Sequence, residues 1–110
     1  MGIYRKERRT PLGISQLVVD LPEFEAHIEL SGWCPVQGFG TTFGREVYFH
    51  AAHDEWSFEV ADEAGSLPSD GRAGPTGYFK RGPHPEASYM PLVNARTIIE
   101  RELREFANRQ

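Results

Sequence analysis

Two short runs, Val47–Ala51 and Trp56–Val60, alternate apolar and polar residues in phases that match across a narrow gap. Val47, Phe49 and Ala51 take turns with Glu46, Tyr48 and His50, while Trp56, Phe58 and Val60 take turns with Glu55, Ser57 and Glu59. A period of two belongs to a strand with one buried and one wet face. With His53-Asp54 as a two-residue turn, Ala51 opposes Trp56, Phe49 opposes Phe58 and Val47 opposes Val60. Every apolar side chain then meets another, and aromatic cross-strand pairs add roughly 0.2–1 kcal/mol each. A one-residue slip would turn the apolar set of one strand to the wrong side. The chain must hold a hairpin here, and its apolar face needs a cover.

The cover is read in Pro91–Ala107. Leu92, Ala95, Ile98, Ile99, Leu103 and Phe106 fall on one stripe at spacings of three and four, the signature of an amphipathic helix. Pro91 suits the first turn, where its missing N–H is not needed. Arg96–Glu100, Glu100–Arg104 and Arg101–Glu105 stand four apart and add a few tenths of a kcal/mol each.

Around these pieces the reading is coarser. Ile14–Leu21 is apolar and β-branched enough for a strand. Glu23–Leu30 alternates Phe24, Ala26, Ile28 and Leu30 with Glu23, Glu25, His27 and Glu29, so a strand is preferred there over a helix opening at Pro22. Ser31–Gly44 holds Pro35 and Gly32, Gly38, Gly40 and Gly44, which suggest an edge, a bulge or a strand break. Phe43-Gly44 reads as a tight turn with Gly44 at positive φ. Ala61–Thr76 reads as a polar loop, and Gly77–Arg81 as a short strand. The expected fold is α+β: a twisted antiparallel sheet of about four to five strands packed on one C-terminal helix. Residues 1–13 are expected to be a flexible basic arm, and 14–110 a single domain.

At 110 residues there is room for one small core. No apolar run approaches the roughly 18–20 residues of a membrane span, and no signal-peptide h-region follows the basic start. Cys34 is the lone cysteine and forms no internal disulfide, so a reducing, cytoplasmic setting is the expectation.

The net charge of −4 hides an uneven distribution. Arg5, Lys6, Arg8 and Arg9 crowd the start, and basic residues outnumber acids again after Asp70. Between Thr10 and Asp70, Arg45 alone stands against Asp20, Glu23, Glu25, Glu29, Glu46, Asp54, Glu55, Glu59, Asp62, Glu63 and Asp70. An acidic centre favours basic partners and disfavours general nucleic-acid binding. Ordinary wet sheet faces mix both signs, and two carboxylates about 5 Å apart in water repel by roughly 0.8 kcal/mol before screening. A wet face of Glu and His without Lys therefore suggests a docking surface, although a merely solvated face is the ordinary alternative. Its expected residues are Glu23, Glu25, Glu29, Glu46, Tyr48, Asp54, Glu55, Glu59, Asp62 and Glu63. Whether 23–30 share a face with the hairpin depends on how the chain passes Pro35.

The leading expectation is a non-enzymatic interaction protein, an inhibitor or regulator, docking on a basic protein partner such as a nucleic-acid-binding complex. The analogy, one of charge and size alone, is with small acidic inhibitors of such machines, among them some phage anti-defence proteins such as anti-CRISPRs. Two alternatives stand beside it. One is a metal-binding or hydrolytic domain around His50, His53 and Glu59, with Asp54, Glu55 and His27 nearby. Residues three apart on a strand point to opposite faces, so His50 and His53 converge only if the turn redirects one of them; no metal or cofactor is expected. The other is a structural subunit of a homo-oligomer, for instance a homodimer. Cys34, beside Trp33 and Pro35, lacks a cysteine-enzyme signature and is expected to be a buried thiol. Gly38-Phe39-Gly40 precedes a strand and not a helix, so it is no phosphate loop.

Overall fold

The alternation at 46–60 extends through a whole sheet. The computed structural model describes residues 3–4, 8–9, 15–32, 34–62 and 77–109; most of the expected polar loop, with Glu63, and Trp33 lie outside the described residues. Six main strands follow one another: β3 (Ser15–Leu21), β4 (Ala26–Gly32), β5 (Val36–Thr42), β6 (Arg45–Ala52), β7 (Glu55–Val60) and β8 (Tyr78–Pro83). Each is antiparallel to the next, in sequence order. Before them, β1 (Ile3–Tyr4) and β2 (Arg8–Arg9) are the described pieces of residues 1–13, and both pair antiparallel with the outer side of β3. One helix, α1 (Leu92–Asn108), packs on the apolar side.

The central hairpin has the register that alternation requires: Val47 opposite Val60, Phe49 opposite Phe58, Ala51 opposite Trp56. The same phase runs across the sheet. Val19, Ile28, Gly40, Val47, Val60 and Tyr78 form one core-facing row. Leu17, Leu30, Gly38, Phe49 and Phe58 form the next. The helix stripe closes this face: Leu92, Ala95, Ile98, Ile99, Leu103 and Phe106 are all buried. Burial of a large side chain such as Phe58 or Leu103 contributes about 1.5–3 kcal/mol. Glu102 also faces inward, where it accepts a hydrogen bond of 2.7 Å from the Tyr78 hydroxyl.

The sheet has six main strands where about four to five were expected, because the glycine-rich stretch is itself a strand. At two core-facing positions of β5, Gly38 and Gly40, glycine lets β4 come close. A Cβ on Gly40 would lie 1.9 Å from the His27 carbonyl oxygen and 2.7 Å from Ile28 Cα. Pro35 sits in the bend between β4 and β5, outside both strands. The Phe43-Gly44 turn forms as expected, with positive φ at both residues (50° and 75°), the signature of a type I′ hairpin.

The strand expected at Glu23–Leu30 begins only at Ala26. Pro22–Phe24 forms one turn of 3-10 helix that ends at Glu25 in left-handed backbone (φ 46°), whose N–H donates to the Pro22 carbonyl. Proline fits a first turn, and Phe24 goes into the core. The Thr42 hydroxyl donates 2.6 Å to the Phe24 carbonyl, tying this turn to β5.

At the other end of the sheet, a second 3-10 turn (Ala87–Tyr89) leads into α1 and fastens two strand connections. The N–H groups of His84 and Ala87 donate to the carbonyls of Asp54 and His53. The His53 N–H donates to Ser88 Oγ, and the Cys34 N–H to the Ser88 carbonyl.

Candidate functional site

The sheet face turned away from α1 is read from the same register. One row across it is Val18, Glu29, Phe39, Tyr48, Glu59 and Phe79. A second is Gln16, Ser31, Gln37, His50, Ser57 and Arg81. A third begins Asp20, His27, Thr41 and Glu46, and Glu55 lies between Ala52 and Pro83. Part of β4 and the central hairpin therefore share one surface.

The expected site residues separate on this map. Glu29, Glu46, Tyr48, Glu55 and Glu59 lie on the open face. Glu23 does not: its carboxylate lies 3.8 Å from Arg104 Nη2, toward the helix. Glu25 sits at the exposed left-handed bend. Pro22 turned both out of the strand that would have aligned them. Asp54 is part of the turn, and its Oδ1 accepts the Glu86 N–H at 3.3 Å. Asp62 follows β7 and is partly buried.

The expected ladder of adjacent carboxylates is also corrected. Among the described residues no acid stands directly opposite another. Asp20 faces His27, Glu46 faces Thr41, and Glu29 stands between Val18 and Phe39. Glu59 stands between Tyr48 and Phe79. Repulsion is relieved by interposed rings and hydroxyls, without lysine. Glu59, expected in water, is only 5 % exposed.

His27 links two acids. Its Nδ1 is 2.5 Å from Asp20 Oδ1 and its Nε2 is 3.7 Å from Glu29 Oε2. The hydrogen bond to Asp20, aided by the charges of Asp20 and Glu29, raises its pKa against a smaller opposing effect of burial. The Tyr48 ring lies 4.8 Å from Phe39 and 6.0 Å from His50. Partial burial, then the charge of Glu59, raises the Tyr48 pKa.

Sequence reasoning placed Tyr48 on this face but missed its two phenylalanines. Phe39 is 57 % exposed and Phe79 51 %, large apolar groups at positions whose parity marks them as outward. The signal was present: Phe39 sits between two glycines out of phase with the core, and Phe79 follows Tyr78, which takes the inward position.

The metal alternative draws no support from placement. His50 is on the open face, whereas His53 sits in the turn with its backbone held by Ala87 and Ser88. Among the described residues no three His, Cys, Asp or Glu side chains converge as metal ligands. Cys34 is exposed and not the expected buried thiol, because the bend that carries it lies at the sheet's end. No helix among the described residues is long and apolar enough to cross a membrane. Comparison with protein-family models, curated proteins and solved structures finds no match.

Proposed function

We propose that this protein is a non-enzymatic interaction module, inhibitory or regulatory in kind, that receives a basic protein partner on its open sheet face. One observation carries the reading. From β3 to β8 that face holds Asp20, Glu29, Glu46, Glu55 and Glu59 against Arg81, with Arg8 opposite Gln16 at the β2 edge, around exposed Phe39 and Phe79. Exposed apolar surface rimmed by charge is typical of protein-binding sites, and the charge selects a partner of opposite sign. Two copies laid face to face would oppose like charges, so the partner is a different protein.

The test is affinity capture from the native cell with the wild-type chain and with a Glu29→Lys, Glu46→Lys, Glu55→Lys variant. All three carboxylates are exposed, so the substitutions cost little, within about 0.5 kcal/mol each. A protein retained at low salt should be lost above about 0.5 M salt, where the Debye length falls to a few ångströms, and should not be retained by the triple variant. Retention that ignores both salt and charge reversal would remove the open face from the function.

A further inference from the structure

The open face carries a counter-charge of its own. His27 stands in β4 between Asp20 of β3 and Thr41 of β5. Its Nδ1 is 2.5 Å from Asp20 Oδ1 and its Nε2 3.7 Å from Glu29 Oε2, so one imidazole spans two carboxylates. A neutral imidazole has a single N–H, and only the charged ring carries one on each nitrogen. The complete bridge therefore exists only while His27 holds its extra proton. The surrounding groups offer no substitute. Thr41 is neutral, with Glu46 of β6 beyond it, and Glu25 precedes His27 at the exposed bend. On the edge side Arg8 stands opposite Gln16, four residues from Asp20, and Arg81 is at the other end of the sheet on β8. Arg45 lies over Phe106 on the core side, and Arg104 of α1 meets Glu23 and Glu100. Among the described residues His27 is the only basic group paired with Asp20 or Glu29.

Resting on the docking reading above, we infer that the Asp20–His27–Glu29 bridge gates the open face by pH: a proton on His27 keeps both carboxylates occupied within the protein, and its loss releases them to a basic partner. The side chains are 37 %, 54 % and 73 % exposed in that order, so a partner's cation can reach the same oxygens. Proton and partner then compete, and by linkage each weakens the other by the same factor. The hydrogen bond to Asp20, aided by the charges of Asp20 and Glu29 against a smaller opposing effect of burial, holds the His27 pKa above 6.5. The changeover therefore falls on the alkaline side of an ordinary histidine, and docking strengthens as pH rises through it.

Fluorescence anisotropy with labelled octalysine tests this, at about 0.01 M salt where the Debye length is about 30 Å. Readings at about pH 5.5 and about pH 8.5 bracket histidine while carboxylates and lysine stay charged. Affinity should rise with pH, and the rise should be about threefold greater in the wild type than in His27→Gln, the worth of one unit charge near contact in water. The other histidines supply whatever rise the variant keeps, and at the higher pH the two proteins should melt alike. Reciprocally, saturating octalysine should lower the His27 midpoint of the wild type by about half a unit in an NMR titration. An equal rise in both proteins, or a midpoint that octalysine leaves in place, would overturn the gate and leave the docking reading intact. If octalysine binds neither protein at either pH, both readings fall together.

Discussion

At Gly40 a hydrogen atom is all that fits. The added Cβ of alanine would press on the backbone of β4, which cannot swing aside as a side chain does. Gly40→Ala should therefore lower unfolding free energy in urea by at least the roughly 1–3 kcal/mol typical of overpacking. At Gly44 nothing lies within 4 Å of the added atom, and only its φ of 75° resists. The cost of Gly44→Ala should be about 1–2 kcal/mol, the smaller of the two; the reverse order would refute close approach as the reason for glycine in β5. His27 offers a second measurement at this scale. Its folded pKa is raised above the ordinary value near 6.5, so the link to Asp20 and Glu29 stabilises fully below about pH 6.5. That contribution is lost as pH rises through the folded pKa. An NMR titration should place the His27 midpoint above 6.5 and bring it down in Asp20→Asn; an unshifted midpoint in the wild type would contradict the bridge. Its exposed setting keeps the energy small.

Among the elements, α1 covers most of what the sheet needs to bury. Leu103 is fully buried beneath it, and Leu103→Ala should cost about 2–5 kcal/mol by removing apolar contact and leaving a cavity. A loss below 1 kcal/mol in chemical denaturation would mean that the helix does not close the core. The helix and the 46–60 hairpin were legible because their periodicities serve one burial surface each; the hairpin register is correct pair by pair, and the helix is displaced by one residue at each end. Strand β5 was not legible. Glycine gives no apolar alternation to read, and its reason for being there is the backbone of another strand. The Arg101–Glu105 pair expected from spacing gives way to Arg101–Glu102 and Arg109–Glu105, since Glu102 is held inward by Tyr78. The candidate site was half legible for similar reasons. Parity placed Glu29, Glu46 and Glu55 outward, but the turn at Pro22 displaced Glu23 and Glu25. The burial of Glu59 and the clustering of Phe39 with Tyr48 belong to register between strands, which no single segment contains.

For the molecule as a whole, the two sides of the sheet answer different demands. One is closed by α1 and carries the core, including Phe49, Phe58 and Ile99; the other keeps its rings in water and its acids apart. Charge reversal at Glu29, Glu46 and Glu55 should therefore change association strongly and melting little. By contrast, Glu59→Lys should lower the melting temperature, since it replaces a buried group with a longer side chain of opposite charge. Thermal melts of the triple and single variants read the difference directly, and equal melting temperatures would deny Glu59 its special place. From β3 to β8 each strand pairs with its successor along the chain, and α1 follows them all. On the ribosome this order means that every strand is synthesised before the cover. Hairpins close in microseconds, whereas the 17 residues of α1 take roughly one to three seconds to synthesise. Until α1 is made and free to fold back, the emerging strands carry an apolar face with nothing against it, and that interval exposes the nascent chain to sticking to other proteins.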